Sequence, residues 1–385
     1  MRRKSIAFFT VHRIHIPHNL REYYLSYELI KKKWKVFWLL PFHGQNDALA
    51  VQWPIKRYHI LDIRGHKFVF PVYLAIKLHL LPIDAIWISG WSQRDPEALF
   101  WFIRILKAFG IKIIYDPIDP IDIFNEAHEQ GNEQKQNRTA ELMASIYNFC
   151  DIIFCVTPEI RDLIIKKGVS DKKVFVGRWG TDISRFNREN VKLDYKLKLG
   201  LKKDTFLVGW LGSMNPFKGL KEIMLPLIHQ LSQEIDDIHF VIAGYGLLEK
   251  DIKIWVRKNK KLPVTFLSRI PYDITPSFTM SLDVYLVPTN PGSEFARSIC
   301  PVKCFDAIAM GTDVITTKTK ATKFLEDIAE NVHLCEFKVD SFRDTITNLY
   351  KNRNRQKQKS YPSAIFPFSH QGVSKQIAEI IQKNI

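Results

Sequence analysis

The sequence contains few cysteines and no uninterrupted apolar run long enough to span a membrane. None of its five cysteines lies in a Cys-x-x-Cys pair, which is typical of thiols that act as small apolar side chains in a reducing compartment. The longest apolar stretch, residues 68–81, is interrupted by Pro71 and Lys77, so we predict no membrane-spanning helix. The apolar run after Arg2-Arg3-Lys4 is too short for a signal peptide, and we expect a cytoplasmic protein.

Two common cofactor signatures are also missing. The first apolar strand is followed by histidines, and no glycine precedes Gly44, which excludes the G-x-G-x-x-G fingerprint of an NAD-dependent oxidoreductase. Cys300 and Cys304 lie one helical turn apart, but no His or Cys pair with matching spacing accompanies them. We therefore expect no metal site, and a metal-binding cysteine pair is the alternative.

Acidic residues are the scarcer charged class. The chain carries 56 Lys and Arg against 40 Asp and Glu, which gives a formal net charge of +16 at pH 7. This excess favours an anionic partner such as a nucleotide, a nucleic acid or an acidic membrane surface. A nucleic-acid-binding protein would show a recognisable binding module or a clustered basic stripe. The sequence shows neither, and the basic stretch 351–360 is typical of a solvated surface loop.

The chain does contain a regular alternation of short apolar strands and amphipathic helices. One series begins at residue 5 and a second at residue 206. Such alternation predicts parallel sheets, and 385 residues suffice for two domains. We therefore predict an α/β protein with two doubly wound domains, 1–185 and 186–365, and a C-terminal helix in 366–385.

The most informative segment comprises residues 300–317. Pro301 suits the first position of a helix, Gly311 suits its C-terminal cap, and a short β-branched strand follows. Arg297 and Lys303 place positive charge beside the free N–H groups at the start of this helix. The pattern predicts a phosphate or diphosphate site. An ordinary αβ unit with solvent-facing basic residues is the alternative.

Four segments of the second half follow one another in a distinctive order. They are Gly-Trp-Leu-Gly-Ser-Met-Asn-Pro-Phe-Lys-Gly at 209–219, Val-Ile-Ala-Gly-Tyr-Gly at 241–246, the stretch 266–288, and Pro-Val-Lys-Cys-Phe-Asp-Ala-Ile-Ala-Met-Gly at 301–311. Together they resemble the nucleotide-sugar-binding domain of GT-B glycosyltransferases, especially bacterial enzymes with a Pro-x-Lys helix before an E-x-x-A-x-G pattern. In the first half, residues 115–119 resemble the family's acidic motif at a strand end, and residues 179–182 resemble its interdomain passage.

This resemblance covers nearly the whole chain. It implies two Rossmann-like domains facing each other across a cleft, with the last helix crossing back to the N-terminal domain. The implied activity is transfer of a sugar from a nucleoside-diphosphate sugar to an acceptor hydroxyl. The nucleotide sugar is a co-substrate, and no further cofactor is implied. No Asp-x-Asp motif is present, so we expect no obligatory metal.

The resemblance also implies a donor site. A departing diphosphate needs positive charge and aimed N–H donors, which the basic residues of this site would supply together with the start of the Pro301 helix. The carboxylate at 306 would hold the ribose hydroxyls, the backbone at 269–270 would flank the base, and two glycines would let the backbone approach the ligand. Solvated surface positions are the alternative. The predicted donor-binding residues are Lys218, Gly244, Gly246, Arg269, Ile270, Arg297, Lys303 and Asp306.

Two positions depart from the family pattern. Ser213 stands where many members have an arginine, and Ser298 stands where they have a glutamate. These changes affect the contacts expected for the donor sugar. A catalytically silent nucleotide- or sugar-binding protein is therefore the alternative function, ahead of a nucleic-acid-binding protein.

The reaction requires an acceptor hydroxyl to attack the anomeric carbon, and an inverting enzyme needs a base for it. Asp116 and Asp119 follow a strand of the first domain, and we predict Asp119 as the base. Asp-Pro pairs that only cap and turn the chain are the alternative. One of the histidines at 12, 15 and 18 is a further candidate for a contact to the donor or acceptor.

The acceptor is expected to be a lipid-linked or cell-surface polysaccharide precursor, as for many enzymes that this chain resembles. Basic and aromatic residues at 2–4, 31–33 and 67–81 favour peripheral binding to the inner face of an anionic membrane. A core helix flanked by solvated lysines is the alternative.

Overall fold

The computed structural model describes residues 3–10, 20–41, 56–60, 73, 76–90, 96–120, 122–123, 133–353 and 362–385. The chain divides into two compact units: unit 1 comprises Met1–Trp179 with His370–Ile385, and unit 2 comprises Gly180–Ser369. The sequence prediction placed the boundaries a few residues away, at 185 and 365. The histidines at 12, 15 and 18, Arg2, and most of the basic segment 67–81 lie outside the described residues.

Unit 1 is built on one parallel sheet of seven strands. The strands are β1 (Ser5–Thr10), β2 (Lys35–Pro41), β3 (Lys56–Ile60), β4 (Ala85–Ser89), β5 (Lys112–Asp116), β6 (Ile152–Cys155) and β7 (Val174–Val176). They lie in the order β3-β2-β1-β4-β5-β6-β7, and every pair is parallel. The helices are α1 (Leu20–Lys31), α2 (Pro96–Ala108), α3 (Glu133–Phe149), α4 (Pro158–Lys166) and the C-terminal α13 (His370–Asn384).

Unit 2 contains a second parallel sheet, of six strands. The strands are β8 (Phe206–Ser213), β9 (Ile238–Tyr245), β10 (Val264–Leu267), β11 (Val284–Val287), β12 (Asp313–Thr317) and β13 (Val332–Cys335), in the order β10-β9-β8-β11-β12-β13. The helices are α5 (Tyr195–Lys198), α6 (Leu225–Glu234), α7 (Glu249–Lys258), α8 (Thr275–Ser281), α9 (Glu294–Ser298), α10 (Val302–Met310), α11 (Val339–Asn352) and α12 (Pro362–Ile365). A π-helical turn, Leu220–Met224, precedes α6.

Burial on both faces of each sheet explains the apolar strands of the sequence. Every residue of β4 and of β11 is buried, as expected for strands covered by helices on both sides. Helix α13 adds Val373 and Ile377 to the core of unit 1, where Leu25 and Leu29 of α1 also pack. The predicted α/β class with two doubly wound, Rossmann-like units is confirmed.

None of the helices in the described ranges is both long enough and apolar enough to cross a membrane.

Candidate functional site

The carboxyl edge of the unit 2 sheet is where this topology gathers loops. Strands β9, β8, β11 and β12 are neighbours, so the loops after them meet at one edge. Five of the eight predicted donor-binding residues lie in the segments that follow these strands, and Gly244 lies near the end of β9.

Helix α10 begins one residue later than predicted. Pro301 is the residue before the first turn, with an extended backbone (ψ 127°), and no side chain caps the helix. Gly311 ends it in the left-handed conformation (φ 71°), and its N–H bonds to the carbonyls of Ala307 and Ile308, as the sequence predicted. The first-turn N–H groups are thus not occupied by a capping side chain, and Lys303 lies among them.

Lys303 extends from α10 to the end of β8. Its Cε lies 3.0 Å, and its Nζ 3.3 Å, from the position that a Cβ on Gly212 would take. A side chain at Gly212 would therefore press against this lysine, whose end would have to shift by a few tenths of an ångström. Burial lowers the pKa of Lys303, while the charge of Asp306 acts in the opposite direction. The structure thus brings a partly buried ammonium group to the end of a central strand.

The two glycines that were predicted to approach a ligand pack closely against the backbone of residues 212–214. A Cβ on Gly244 would lie 1.9 Å from the carbonyl oxygen of Gly212, and its φ of 137° is one that other residues rarely adopt. A Cβ on Gly246 would lie 2.8 Å from the backbone nitrogen of Met214. Gly212 and Gly244 are register partners in the β8–β9 pair. These glycines let the two loops pack backbone against backbone. Their contact with a donor stays a prediction.

Lys218 lies in the loop after β8, in the turn Pro216–Lys218. Its ammonium group lies 4.5 Å from the ring centroid of Phe217. The backbone N–H of Asn290, which follows β11, donates to the carbonyl of Phe217 at 2.8 Å. Gly219 then takes a left-handed conformation, and a Cβ there would collide with Pro288. The loops after β8 and β11 are thus held together around this lysine.

The buried thiol of Cys304 shows that three predicted residues lie near one another. Burial raises its pKa to about 12. The charges of Lys303 and Lys218 lower this pKa, and the charge of Asp306 raises it. All three side chains are therefore within electrostatic range of the same sulfur atom. Lys218 therefore lies in the neighbourhood of Lys303 and Asp306, which occupy the first two turns of α10.

Asp306 lies one helical turn after Lys303. Its Oδ1 accepts a hydrogen bond from Oγ1 of Thr181 at 2.5 Å, and Thr181 is held in turn by the carbonyl of Phe368 at 3.0 Å. Burial raises the pKa of Asp306 to about 7, with a further increase from Asp182. Because Oδ1 already accepts from Thr181, we expect Oδ2 to be the more available oxygen for a ribose hydroxyl, and this contact stays a prediction.

The remaining predicted donor residues differ in their surroundings. Arg269 is exposed, and its guanidinium group lies 5.3 Å from the ring centroid of Tyr245, the last residue of β9. Ile270 is buried in the core of unit 2. Arg297 is exposed on the short helix α9, and its Nη1 donates to the carbonyl of Pro291 at 2.8 Å. Arg297 thus bonds to its own loop and Arg269 contacts the end of β9. Their roles toward a donor stay predictions.

The two predicted catalytic aspartates belong to unit 1 and differ sharply. Asp116 is fully buried and forms an ion pair with Arg21. Its Oδ1 also accepts a hydrogen bond from the backbone of Ile118 at 3.2 Å. Ile118 has a φ of 62°, which is strained for a β-branched residue. Asp119 follows this turn and is only partly buried, so it is the better placed of the two to meet a substrate.

The sequence reasoning missed Arg21. This fully buried guanidinium group also donates to the carbonyl of Gly177 at 3.0 Å and lies 4.5 Å from the ring centroid of Trp179. A signal was present, because Arg21 precedes Leu25 and Leu29 at intervals of four residues and so lies on the inward row of α1. A charged residue in an apolar row indicates a buried ionic partner.

The other missed residue is Thr181, and no sequence signal marked it as a partner of Asp306. For the metal alternative at Cys300 and Cys304, no three His, Cys, Asp or Glu side chains of the described ranges gather closely enough to hold a metal ion.

We expect the substitution Asp306→Asn to stabilise the protein more at pH 8 than at pH 5. Burial raises the pKa of this carboxyl from 3.8 to about 7, so the folded state disfavours the charged form. Stability contributed by the protonated carboxyl is therefore lost as the pH rises from about 4 to about 7. Asparagine keeps the acceptor oxygen and removes the charge. The expected gain at pH 8 is on the order of 1 kcal/mol.

Urea unfolding at both pH values measures this difference. The matched control is Asp327→Asn, which removes an exposed carboxylate from the same unit. An equal effect of Asp306→Asn at pH 5 and pH 8 would contradict the assignment of a buried, partly protonated carboxyl.

Known proteins resemble this chain in part of its sequence and in its fold. Residues 205–352, all in unit 2, match the family described as "Glycosyl transferases group 1". No curated protein matches the sequence. Among solved structures, the chain is similar to HepE of Anabaena in complex with UDP, at 17% identity and a TM-score of 0.72, over 99% of this chain and 100% of that one.

Two further structures show how widely this fold is used. Sucrose-phosphate synthase of Thermosynechococcus elongatus has 15% identity and a TM-score of 0.72, over 99% of both chains. The UDP-GlcNAc 2-epimerase of Neisseria meningitidis, bound to UDP-GlcNAc, has 16% identity and a TM-score of 0.59, over 99% of this chain and 100% of that one. At such identities the similarity establishes the fold. Residues 205–352 therefore form a group 1 glycosyltransferase domain, and the chain as a whole has the GT-B fold.

Proposed function

We propose that the protein is a glycosyltransferase of the hexosyltransferase type, which moves a sugar from a UDP-sugar to an acceptor hydroxyl. The observation that carries the proposal is the position of Lys303, whose ammonium group lies between the uncapped start of α10 and the end of β8 at Gly212. Lys218 adds a second positive charge near the same helix turn. Two cations beside free N–H donors are what a departing diphosphate requires.

The other predicted donor-binding residues have roles in the same proposal. The diphosphate binds at the start of α10, Oδ2 of Asp306 accepts from a ribose hydroxyl, and the backbone at Arg269 and Ile270 flanks the base. Uridine is the proposed base because HepE is described with UDP and with UDP-glucose. The group 1 match favours sugar transfer over epimerisation. No obligatory metal is required in this proposal, because Lys218 and Lys303 supply the positive charge.

On the acceptor side, Asp119 acts as the base that takes the proton of the acceptor hydroxyl. The acceptor is a lipid-linked or glycan precursor of a cell-surface polysaccharide, and the enzyme works in the cytoplasm at the inner face of the membrane. The net charge of +16 supports a location at an anionic membrane surface.

We expect Lys303→Met to weaken UDP binding by about 10- to 100-fold. Methionine keeps an unbranched apolar side chain beside Gly212 and removes only the ammonium group. A hydrogen bond to a charged group contributes about 1.5–3 kcal/mol, and each 1.4 kcal/mol corresponds to a factor of ten. Calorimetric titration with UDP measures the loss, and thermal shifts with UDP-, GDP- and dTDP-sugars test the choice of base.

The matched control is Lys258→Met, which removes an exposed ammonium group at the end of α7 in the same unit. It should bind UDP like the wild type. If no nucleotide or nucleotide sugar stabilises the wild-type protein, the proposed function is wrong. If UDP binds equally well to Lys303→Met, the diphosphate position is wrong although the donor class survives.

A further inference from the structure

Helix α2 of unit 1 is apolar on two faces. Its inner face packs in the core and consists of Ala98, Leu99, Phe102, Ile103 and Leu106. Its outer face is also apolar, because Trp101 and, just after the helix, Phe109 are 41% and 39% exposed. A helix that is hydrophobic all round needs a second apolar or interfacial environment. The core of unit 1 accounts for only one face of α2.

A cation is fixed in the middle of this outer face. The guanidinium group of Arg104 lies 5.1 Å from the ring centroid of Trp101 and 5.9 Å from that of Phe149, the last residue of α3. Phe149 is itself 37% exposed. Arg104 is exposed and forms no ion pair within the described residues. Its charge is therefore displayed beside aromatic rings without a carboxylate to neutralise it.

A second segment with exposed apolar side chains, residues 76–80, contacts Phe109 through His79. His79 stacks on Phe109 with ring centroids 4.4 Å apart. The N–H of Leu80 bonds to the carbonyl of Ile76, so these two side chains share one side of a helical turn. They are 77% and 49% exposed. We call the set Ile76, Leu80, Trp101, Arg104, Phe109 and Phe149 the α2 patch.

The charges around the α2 patch leave a positive surface. Asp151 is neutralised by Lys107 at 2.9 Å and by Lys112 at 3.1 Å. Glu97 is paired with Arg138 at 2.7 Å. Glu141 lines the same pocket as Trp101. Together with Arg104, these residues carry four basic and three acidic groups, which leaves a surplus of one positive charge. A second copy of a chain with net charge +16 would be repelled from such a surface.

We propose that the α2 patch binds unit 1 to an anionic lipid bilayer. Tryptophan and phenylalanine rings sit favourably at the level of the lipid headgroups, and basic residues are attracted by anionic lipids. The aromatic side chains and Leu80 enter the interface, while Arg104 contacts the headgroup phosphates. The proposal names a surface for the membrane location suggested above and rests on that location, but not on the identity of the donor.

Flotation with lipid vesicles tests the α2 patch directly. The full chain is mixed at low ionic strength with vesicles of phosphatidylglycerol and phosphatidylcholine in equal parts, or of phosphatidylcholine alone. The wild type should float with the anionic vesicles and lose binding as salt is added. The double variant Trp101→Ser/Leu80→Ser should bind at least about tenfold more weakly, because it removes two apolar side chains from the interface. Arg104→Gln should bind about fivefold more weakly.

Matched controls remove equally exposed side chains from unit 2. Ile254 and Leu197 are 41% and 67% exposed, so Ile254→Ser/Leu197→Ser pairs with the double variant, and Arg257→Gln pairs with Arg104→Gln. Both controls should float like the wild type. The thermal midpoint of each variant, and its shift with UDP, show separately that the fold and the donor site are intact.

Three results would overturn the proposal. The first is a wild-type protein that fails to float with anionic vesicles at low ionic strength. The second is a double variant that floats as well as the wild type. The third is a wild type that self-associates in sedimentation and does not float, with the double variant monomeric, because the patch would then be a contact between copies. A missing UDP shift together with normal flotation would refute the donor assignment and leave the membrane surface standing.

Discussion

Gly244→Ala is expected to be the most damaging single substitution in unit 2. The new Cβ would lie 1.9 Å from the carbonyl oxygen of Gly212, far inside contact distance, and the φ of 137° does not suit alanine. The backbone strain alone costs about 1–3 kcal/mol. Separating the paired ends of β8 and β9 adds to it, so we expect a total loss above about 4 kcal/mol.

The same substitution should abolish UDP binding, because Gly212 is the residue beside which Lys303 lies. Urea unfolding and calorimetric titration with UDP measure the two effects. Gly200→Ala is the matched control, since Gly200 also has a positive φ (71°) but no atom lies within 4 Å of its added Cβ. It should lose only roughly 1–2 kcal/mol. If the two variants were equally stable, the backbone contact between Gly212 and Gly244 would not govern this edge of the sheet.

Asp119→Asn is expected to leave UDP binding unchanged and to lower turnover by about 10²- to 10⁴-fold. The reason is that general-base catalysis by a positioned side chain contributes about this factor, and asparagine cannot accept the proton. Transfer from radiolabelled UDP-glucose, with a total lipid extract of bacterial membranes as the source of acceptor, measures turnover. If the Asp119→Asn variant turned over at the wild-type rate, Asp119 would not be the catalytic base.

Asp116→Asn is expected to lower stability, whereas Asp119→Asn is expected to lower turnover. Asp116→Asn removes the carboxylate that pairs with Arg21 and leaves only the charge of Glu22 acting on this buried guanidinium group. Breaking a buried ion pair costs about 3–5 kcal/mol. We therefore expect a large loss of stability in Asp116→Asn and almost none in Asp119→Asn. Asp171→Asn, an exposed carboxylate elsewhere in unit 1, should change neither quantity.

The elements that the sequence predicted are those with a strong local signal. Gly311 follows an apolar helix and caps it in the left-handed conformation, and the apolar run 284–287 forms β11. Strands β3 and β13 were not predicted. Both lie at the edge of a sheet, and β3 in particular carries polar side chains such as Lys56 and Arg57. Edge strands are covered less completely, so their sequences lack a continuous apolar run.

The strand ends at the candidate site were also misjudged, for a related reason. The apolar runs of the two strands end at residues 211 and 243, each directly before a glycine, and glycine weakens a strand. In the structure both strands continue to Ser213 and Tyr245. The glycines at 212 and 244 are opposite each other in the register, and each makes room for the other's backbone. A single strand cannot show this, because the reason for each glycine lies in its partner.

The sequence by itself determined the two doubly wound units, the helix that begins after Pro301, and the basic residues around its start. These follow from periodicity, capping and charge, which are local properties of the chain. Only the tertiary structure decided that Lys303 lies against Gly212, that Thr181 holds Asp306, and that Arg21 holds Asp116. Each of these contacts joins residues far apart in the sequence, and their pKa shifts depend on burial that packing alone creates.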